Sequence, residues 1–412
     1  MTSPVLHQPV HLDGLRPITF QHPSDRAILS KLEAFPILPD IVGKALDVYK
    51  EQLEIALISS SFHVTEKSLP KIYEVYRLAC NTLCVNNPPP LYLTHNPAYD
   101  AYTMGVDQAF IVVSSGMADD FNDDELLYIL GHELGHFLCK HIKYKTFLFL
   151  LAGNTVTSLP GIAKIMANVT FAPLLYLWSR RSEFSCDRAG LLACQSLETA
   201  HRVNLRLSGC SKRIFDQLSP NALLDQTNEF RKRVSKNWIS HFFATANQLY
   251  STHPRTIERS VELQDWITEG WYDEIVKGTP QSRTKLAEIF SGDPQTIELT
   301  LILTRSISTI CVQEFQLPQE TVMPIIRKIL YEQGTLKETP LEKILRIELV
   351  IEKINSNTVH YTLVFLINKQ GTAVRQKFNF PMPENWDDAP SSVRNEFVKK
   401  NENTFVQLLY SV

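Results

Sequence analysis

The stretch from Asn122 to Lys145 constrains the fold of this chain more than any other part of the sequence. It begins with the capping residue Asn122, places Glu125 three positions later, and carries two aspartates between them. A polar cap, a reciprocal glutamate and negative charge in the first turn are typical of a helix N-terminus. The run DDELLYILGHELGHFLCKHIKYK then continues without a breaker. The sequence therefore predicts one helix that passes through Lys145 and is longer than about five turns.

The segments on either side of this helix predict the α+β class. An apolar strand at Ala109–Ser114 precedes the helix, and helical patterns cover about 41–83 and most of 180–270. Residues 1–30 contain no such pattern, and we expect an irregular, proline-spotted lead-in there. The prediction is thus a mainly helical domain with a small sheet.

The chain changes character beyond about Gly278. Three strand-like runs separated by turn residues occupy Arg346–Ile354, Val359–Asn368 and Ala373–Phe380, and this region contains no catalytic constellation. The sequence therefore predicts two domains. They are residues 1–278, with a helical lead-in at about 30–84 and a core at about 85–262, and an accessory α+β domain at 279–412.

Composition and charge exclude several classes of protein. Hydrophobic residues make up 44% of the chain and charged residues 21%, which is ordinary for a globular protein. A net charge of −3 creates no global positive field, so we expect no nucleic-acid partner. Seven cysteines form an odd set without a CxxC pair, which argues against a disulfide framework. Because the N-terminus also lacks the apolar region of a signal peptide, we expect a cytoplasmic protein.

The very apolar stretch at residues 146–178 has two interpretations. It is interrupted by polar residues and prolines, among them Asn154, Pro160 and Pro173. It therefore lacks the roughly 18 uninterrupted apolar residues that a membrane-spanning helix needs. A pair of buried or loop-capping helices is the simpler interpretation. The other is a hairpin that contacts a membrane surface, which would associate the protein with membranes.

The motif GHELGH within the predicted helix carries the first candidate site residues. His132 and His136 are four positions apart and project from the same helical face, so both imidazoles can bind one metal ion. Glu133 is offset by roughly 100° around the helix, where a general base can hold a water molecule activated by that metal. Gly131 and Gly135 add no side-chain bulk, which permits the close approach of a neighbouring strand or of substrate.

A zinc hydrolase needs a third protein ligand and an open position, and the sequence offers two candidates. His141 lies five positions beyond His136, hence on a different face of the predicted helix, which favours a surface or packing role. Glu183, in the segment WSRRSEFSCDRAG, is the better candidate because it completes a His2Glu set. Asp187 follows four positions later on the same helical face, where it can hydrogen-bond a ligand imidazole and fix its tautomer.

These segments resemble the M48 zinc metallopeptidases, a gluzincin family with soluble and integral-membrane members. The resemblance covers roughly residues 85–262 and rests on the segments NPAYDAYTMG, FIVVSSGMADDFNDDELLYILGHELGHFLCKH, SRRSEFSCDRAG and STHPRTIER. It implies a zincin-like fold for the catalytic domain and one zinc ion per chain. It also implies the zinc ligands His132, His136 and Glu183, the catalytic base Glu133 and the ExxxD carboxylate Asp187.

The resemblance also assigns roles that the residues alone do not. His253, in the THP segment, would stabilise the oxyanion of the tetrahedral intermediate, and Arg259 would support that region. The strand around Phe110–Ser114 would be the edge to which an extended peptide pairs. Where the family usually has an Asn-Ala-Phe-like stretch this chain has Asp-Ala-Tyr, which can change a substrate subsite but no metal ligand. The residues expected to contact substrate are Ala101, Phe110, Val112 and Ser114.

We therefore predict a zinc-dependent metalloendopeptidase that hydrolyses a polypeptide substrate with Glu133 as general base. Two alternatives stay open. One is a catalytically silent zinc-binding scaffold that acts through its C-terminal domain. The other is a latent protease whose site is covered by residues 146–178.

Overall fold

The chain, described here by a computed structural model, divides into two compact units, residues 1–287 and 288–412. The structure describes residues 8–34, 38–152, 171–208, 212–215, 217, 225–226, 229, 256–292, 344–355, 358–367, 372–381 and 390.

Helices dominate the first unit and accompany one small sheet, which confirms the predicted α+β class. The helices are α1 (Pro23–Glu33), α2 (Leu38–Ser60), α3 (Pro70–Thr82), α4 (Ser115–Asp120), α5 (Asp123–Leu138), α6 (Ile142–Ala152), α7 (Phe171–Cys194), α8 (Leu197–Leu207), α9 (Lys212–Phe215), α10 (Thr256–Thr268), α11 (Trp271–Val276) and α12 (Pro280–Phe290). The strands are β1 (Ser61–His63), β2 (Leu91–Thr94), β3 (Ala101–Gly105) and β4 (Ala109–Ser114).

The four strands form a mixed sheet in the order β1-β2-β4-β3. β4 pairs with β2 in parallel, with Leu91 opposite Ile111, and with β3 antiparallel, with Thr103 opposite Ile111. Strands β1 and β3 therefore lie at the two ends of the sheet. Among the described residues, no strand pairs with the outer edge of β3.

The interior position of β4 overturns one prediction. The strand around Phe110–Ser114 cannot accept an extended peptide, because β2 and β3 already occupy both of its edges. Phe110 and Val112 are buried, and the Ser114 hydroxyl accepts a hydrogen bond from the Met117 backbone N–H, which caps α4. These three residues therefore serve the sheet and its junction with α4.

Helix α5 begins as the sequence predicts. The Asn122 side chain accepts a hydrogen bond from the Glu125 N–H at 2.9 Å, and the Glu125 carboxylate accepts one from the Asn122 N–H at 3.0 Å. This reciprocal pair is the predicted capping box. It fixes the start of the helix that carries the HELGH motif.

The end of α5 differs from the prediction, because the helix stops at Leu138. The His141 N–H donates to the His136 carbonyl at 2.9 Å, and the Lys140 N–H donates to the Phe137 carbonyl at 3.2 Å. These two bonds form a Schellman motif, with Lys140 in the left-handed conformation at φ 61°. Glycine usually occupies that position, so a lysine there leaves no stop signal in the sequence. The prediction of one continuous helix is wrong for this reason.

The N-terminal lead-in is more regular than predicted. Helix α1 starts at Pro23, and the Nδ1 atom of His22 caps it by accepting a hydrogen bond from the Ser24 N–H at 3.2 Å. Histidine is not among the residues that normally signal a helix start, so the pattern hides this cap. The prediction of an irregular segment over residues 1–30 is therefore wrong from Pro23 onward.

One apolar cluster joins α1, α2, α6 and α7. Phe147, Leu148 and Trp178, from the two described ends of the 146–178 stretch, are buried in this cluster. Residues 153–170 lie outside the described residues. The described ends therefore follow the interpretation of buried helices. No helix in the described part of the chain combines the length and the apolar character needed to cross a bilayer.

The second unit contains an antiparallel sheet of three strands in sequential order, β5 (Ile344–Asn355), β6 (Thr358–Ile367) and β7 (Thr372–Pro381). The strands coincide within one or two residues with the three runs that the sequence predicts. Alternation of apolar and polar residues and the intervening turn residues are local signals, which explains this agreement.

Candidate metal centre

Helices α5 and α7 approach each other closely along two glycines of α5. A Cβ atom placed on Gly131 would lie 2.3 Å from the Cβ of Ala193, and one on Gly135 would lie 2.8 Å from the Cβ of Ala189. The close neighbour is therefore a helix, not the strand or substrate that the sequence predicts. Because α7 also carries the ExxxD motif, this approach brings its two carboxylates to the histidines of α5.

Three side chains that can bind a metal converge between these helices. Nε2 of His132 lies 3.5 Å from Oε2 of Glu183, and Nε2 of His136 lies 3.5 Å from Oε1 of the same carboxylate. Zinc–ligand bonds of about 2.0–2.2 Å in a tetrahedral site place two ligand atoms about 3.3 Å apart. The observed separations fit such an ion, and all three side chains are buried. These residues can hold zinc and leave a position for water or substrate.

Cys186 competes with Glu183 for the place of third ligand. Its sulfur and one nitrogen of each histidine lie within 4.8 Å of one another. The sulfur, however, lies 3.7 Å from Nδ1 of His141, which contacts Nδ1 rather than Nε2 of His136. Burial raises the pKa of the Cys186 thiol well above its usual range. The geometry therefore favours Glu183, whose carboxylate faces both Nε2 atoms.

Asp187 lies behind His132, on the side away from Glu183. Nδ1 of His132 is 3.1 Å from Oδ1 of Asp187, and Tyr128 donates its hydroxyl to the same oxygen at 2.9 Å. Burial would raise the pKa of Asp187, but the buried guanidinium of Arg259 and the contact with His132 outweigh it and lower the pKa to about 2. When His132 binds a metal through Nε2, the ionised Asp187 carboxylate can accept the proton that remains on its Nδ1.

Arg259 binds Asp187 with two hydrogen bonds. Its Nε donates to Oδ2 at 2.7 Å, and its Nη2 donates to Oδ1. Nη1 also lies 3.9 Å from Oε2 of Glu183. The structure thus places Arg259 among the carboxylates of α7. His253, the residue it was expected to accompany, lies outside the described residues.

Glu133 lies on the wall of a cavity of about 650 Å³ that also reaches both histidines and Glu183. The hydroxyl of Thr103, on β3, donates to Oε2 of Glu133 at 2.6 Å. Burial raises the pKa of Glu133, while His132 and the Thr103 hydrogen bond oppose that shift. A raised pKa suits a carboxylate that has to take up and release a proton near neutral pH.

The edge strand β3 forms another wall of this cavity. Ala101, Tyr102 and Thr103 all line it, and no strand of the described part of the chain pairs with their outer edge. At Gly105 the Thr146 hydroxyl of α6 occupies that edge, since it accepts from the backbone N–H and donates to the C=O. Of the four residues expected to contact substrate, only Ala101 is on this strand. An extended chain can add to such an edge through main-chain hydrogen bonds.

Lys145 is a site residue that the sequence analysis missed. Its Nζ donates to Oε1 of Glu183 at 2.5 Å, and its side chain lines the cavity. On a continuous helix, Lys145 would lie roughly 180° around from His136 and would point away from the site. The Schellman motif after Leu138 redirects the chain, and only this break brings the ammonium group to Glu183.

His141 is the second site residue that was missed. It is fully buried, and its Nδ1 lies 3.1 Å from Nδ1 of His136. A continuous helix would have placed it roughly 140° around from His136, which is why a surface or packing role was favoured. A sequence signal for the role of His141 would have been its position just after the end of α5. That signal is usable only if the end of the helix is recognised.

Comparison with known proteins agrees with this site. Residues 72–267 match the model of Peptidase family M48. The plastoglobule-localized metallopeptidase 48, chloroplastic, of Arabidopsis thaliana is 29% identical over 269 residues, which cover 64% of this chain and 77% of that protein. A protease HtpX homolog of Tropheryma whipplei is 24% identical over 208 residues, which cover 43% of this chain and 66% of that protein. No solved structure matches the chain.

The matched range encloses both α5 and the ExxxD helix α7. The fold and site therefore define a metallopeptidase. Residues 72–267, slightly less than half of the chain, are similar to peptidase family M48.

Proposed function

We propose that this metallopeptidase is a zinc-dependent endopeptidase that hydrolyses internal bonds of a polypeptide. The observation that carries the proposal is the convergence of the His132 and His136 Nε2 atoms on the two oxygens of Glu183. Two imidazoles and one carboxylate are a ligand set that catalytic zinc prefers, and the site opens into a cavity large enough for a peptide segment. The site residues proposed are thus His132, His136 and Glu183 for the metal and Glu133 for the base.

Zinc in this site would supply a Lewis acid that polarises the scissile carbonyl and lowers the pKa of a water molecule. Glu133 accepts the proton of that water and delivers it to the leaving amine. Thr103 holds the Glu133 carboxylate in place while the proton is moved, through its hydrogen bond to Oε2. Asp187 keeps the His132 proton on Nδ1, and Arg259 keeps Asp187 ionised.

The substrate in this proposal lies along β3. Because Ala101–Thr103 line the cavity beside Glu133, a peptide paired with the outer edge of this part of β3 brings its backbone carbonyls to the site. The rings of Tyr102 and Phe149 stack with their centroids 6.4 Å apart and provide an apolar surface on the cavity wall that β3 forms. His253 remains the proposed oxyanion donor from the resemblance.

The test is hydrolysis of casein by the zinc-loaded wild type and by Glu133→Gln. The Gln variant keeps the shape of the side chain but cannot accept a proton, so we expect bound zinc with a turnover lowered by about 10²–10⁴-fold. Asp123→Asn is the matched control, since Asp123 is exposed in the first turn of the same helix and its loss should leave turnover unchanged.

The outcomes separate the candidate functions. Cleavage by Glu133→Gln at the wild-type rate would show that the base is assigned wrongly. Stoichiometric zinc without cleavage by either protein would instead favour the silent scaffold or the latent protease. His132→Ala should lose both the zinc and the activity, because it removes a ligand atom.

The second unit is proposed as an accessory domain. The catalytic residues proposed here are in the first unit, and the described strands of the second unit form a three-stranded sheet. A cytoplasmic location, contact of residues 146–178 with a membrane surface, and the absence of a nucleic-acid partner stay predictions from the sequence.

A further inference from the structure

Two buried side chains, connected in series, contact the Nδ1 side of His136. Its Nδ1 lies 3.1 Å from Nδ1 of His141, and Nε2 of His141 lies 2.9 Å from Oδ2 of Asp25. His141 and Asp25 are completely buried, and Asp25 belongs to α1. Asp25 of helix α1 is therefore connected through His141 to the Nδ1 atom of His136, on the ring edge away from Glu183.

Zinc binding through Nε2 of His136 would set the direction of the hydrogen bonds in this series. A histidine that binds zinc through Nε2 carries its proton on Nδ1 and needs an acceptor there. Nδ1 of His141 lies where that acceptor is needed, and Nε2 of His141 can in turn donate to the Asp25 carboxylate. Nε2 of His136 is the nitrogen that faces Glu183.

Asp25 is itself held in place by neighbours from two elements. Ser185 of α7 donates its hydroxyl to Oδ2 of Asp25 at 2.7 Å and accepts a hydrogen bond from the His22 N–H at 2.9 Å. Gln21 donates to the same Asp25 oxygen at 3.1 Å. These bonds lock the orientation of the carboxylate that His141 contacts.

We propose that Asp25 and His141 are positioning residues of the metal centre, which orient His136 and keep its Nε2 free to bind zinc. The inference rests on the proposed zinc site. It extends that site beyond the matched range 72–267, because helix α1 supplies Asp25, the last residue of the hydrogen-bonded series. A purely structural role for the Asp25–His141 pair would stabilise the fold but would leave the zinc affinity of the folded protein unchanged.

The experiment measures the zinc affinity of the full chain by competition with a chromophoric chelator. His141→Ala removes the acceptor for His136, and we expect the affinity to fall by about 10–100-fold. His141→Asn restores an amide oxygen close to the former position of Nδ1, so it should recover part of that loss. Asp25→Asn keeps the shape of the carboxyl group but removes its charge, and should weaken binding severalfold.

The matched control is Leu29→Ala, which truncates a buried apolar side chain of the same helix α1. It should lower the melting temperature and leave the zinc affinity of the folded protein at the wild-type value. Zinc binding by His141→Ala and Asp25→Asn within twofold of wild type would overturn the inference. If His141→Ala does not fold, Asp25→Asn decides alone.

Zinc binding also separates this inference from the proposed function. A wild-type chain that binds no zinc would contradict the proposed metal site itself. A wild-type chain that binds zinc tightly, with positioning variants that bind as tightly, would contradict only the role of Asp25 and His141.

Discussion

The two histidines of the HELGH motif are supported in different ways. A carboxylate contacts His132 directly, since Asp187 lies 3.1 Å from its Nδ1. His136 reaches a carboxylate only through the ring of His141, which contacts Asp25. Both arrangements can accept a proton from Nδ1 and leave Nε2 toward Glu183. The same electronic result is therefore reached by two unrelated sets of contacts.

The charges around the two carboxylates also differ. Asp187 is paired with the buried guanidinium of Arg259, which is a permanent cation. The described hydrogen-bond donors to Asp25 are a histidine, a serine hydroxyl and a glutamine amide. Burial would raise the pKa of Asp25, but His141 and the other two donors outweigh it and lower the pKa. The comparison teaches that a permanent cation holds the carboxylate behind one ligand, whereas a histidine and two neutral donors hold the carboxylate behind the other.

The largest expected effect comes from removing each carboxylate in turn. Asp187→Ala leaves Arg259 buried without its main partner, and we expect it to lower the free energy of unfolding by about 3–5 kcal/mol. Asp25→Ala leaves polar donors unsatisfied and should cost about 1–3 kcal/mol. Urea unfolding of the metal-free variants measures both values. Equal losses would remove the distinction between the ion pair and the polar contacts.

An intermediate effect is expected at the glycine contact between α5 and α7. Gly131→Ala should cost about 1–3 kcal/mol, because the new methyl group overlaps Ala193. It should displace Asp187, which is on α7, more than His141, which follows α5 directly in the chain.

A double-mutant cycle with Ala193→Gly tests the origin of that cost. Relief of the overlap should appear as a coupling free energy of about 0.5–3 kcal/mol between the two sites. Additive effects of the two substitutions would mean that the close helix contact is not the cause.

The smallest effect on stability is expected from Thr103→Val. The Thr103 hydroxyl bonds to Glu133 and not to the residues that support the two histidines. The Thr103 hydrogen bond lowers the pKa of Glu133 against the upward effect of burial, so its loss should raise that pKa further. Because a base acts in its ionised form, the acidic limb of the kcat/KM profile should move to higher pH. Zinc affinity should stay at the wild-type value. A limb that moves to lower pH, or a changed zinc affinity, would contradict the separate role of Glu133.

Spacing in the sequence predicts that Asp187 supports His132. It does not predict the residues that support His136. His132 with His136, and Glu183 with Asp187, are pairs four positions apart, and an α-helix brings such pairs to one face. The close packing of α5 and α7 also needs small residues on both helices, Gly131 and Gly135 on α5 and Gly190 on α7.

Asp25 and His141 leave no comparable pattern. They are separated by more than a hundred positions, and their contact depends on how α1 packs against the rest of the unit. The same distinction applies to the sheet. The sequence predicts the strand that contains Phe110, but the interior position of that strand depends on its pairing with β2 and β3.

By itself, the sequence determined the α+β class, the capping box of α5, the shared face of the two histidines and the strands of the second unit. These features depend on residues within a few positions of one another. Only the tertiary structure decided that α5 stops at Leu138, that Lys145 and His141 turn back to the site, and that β3 is the open edge. The physical reason is that a left-handed lysine, a buried carboxylate and the order of strands are each stabilised by contacts with distant parts of the chain.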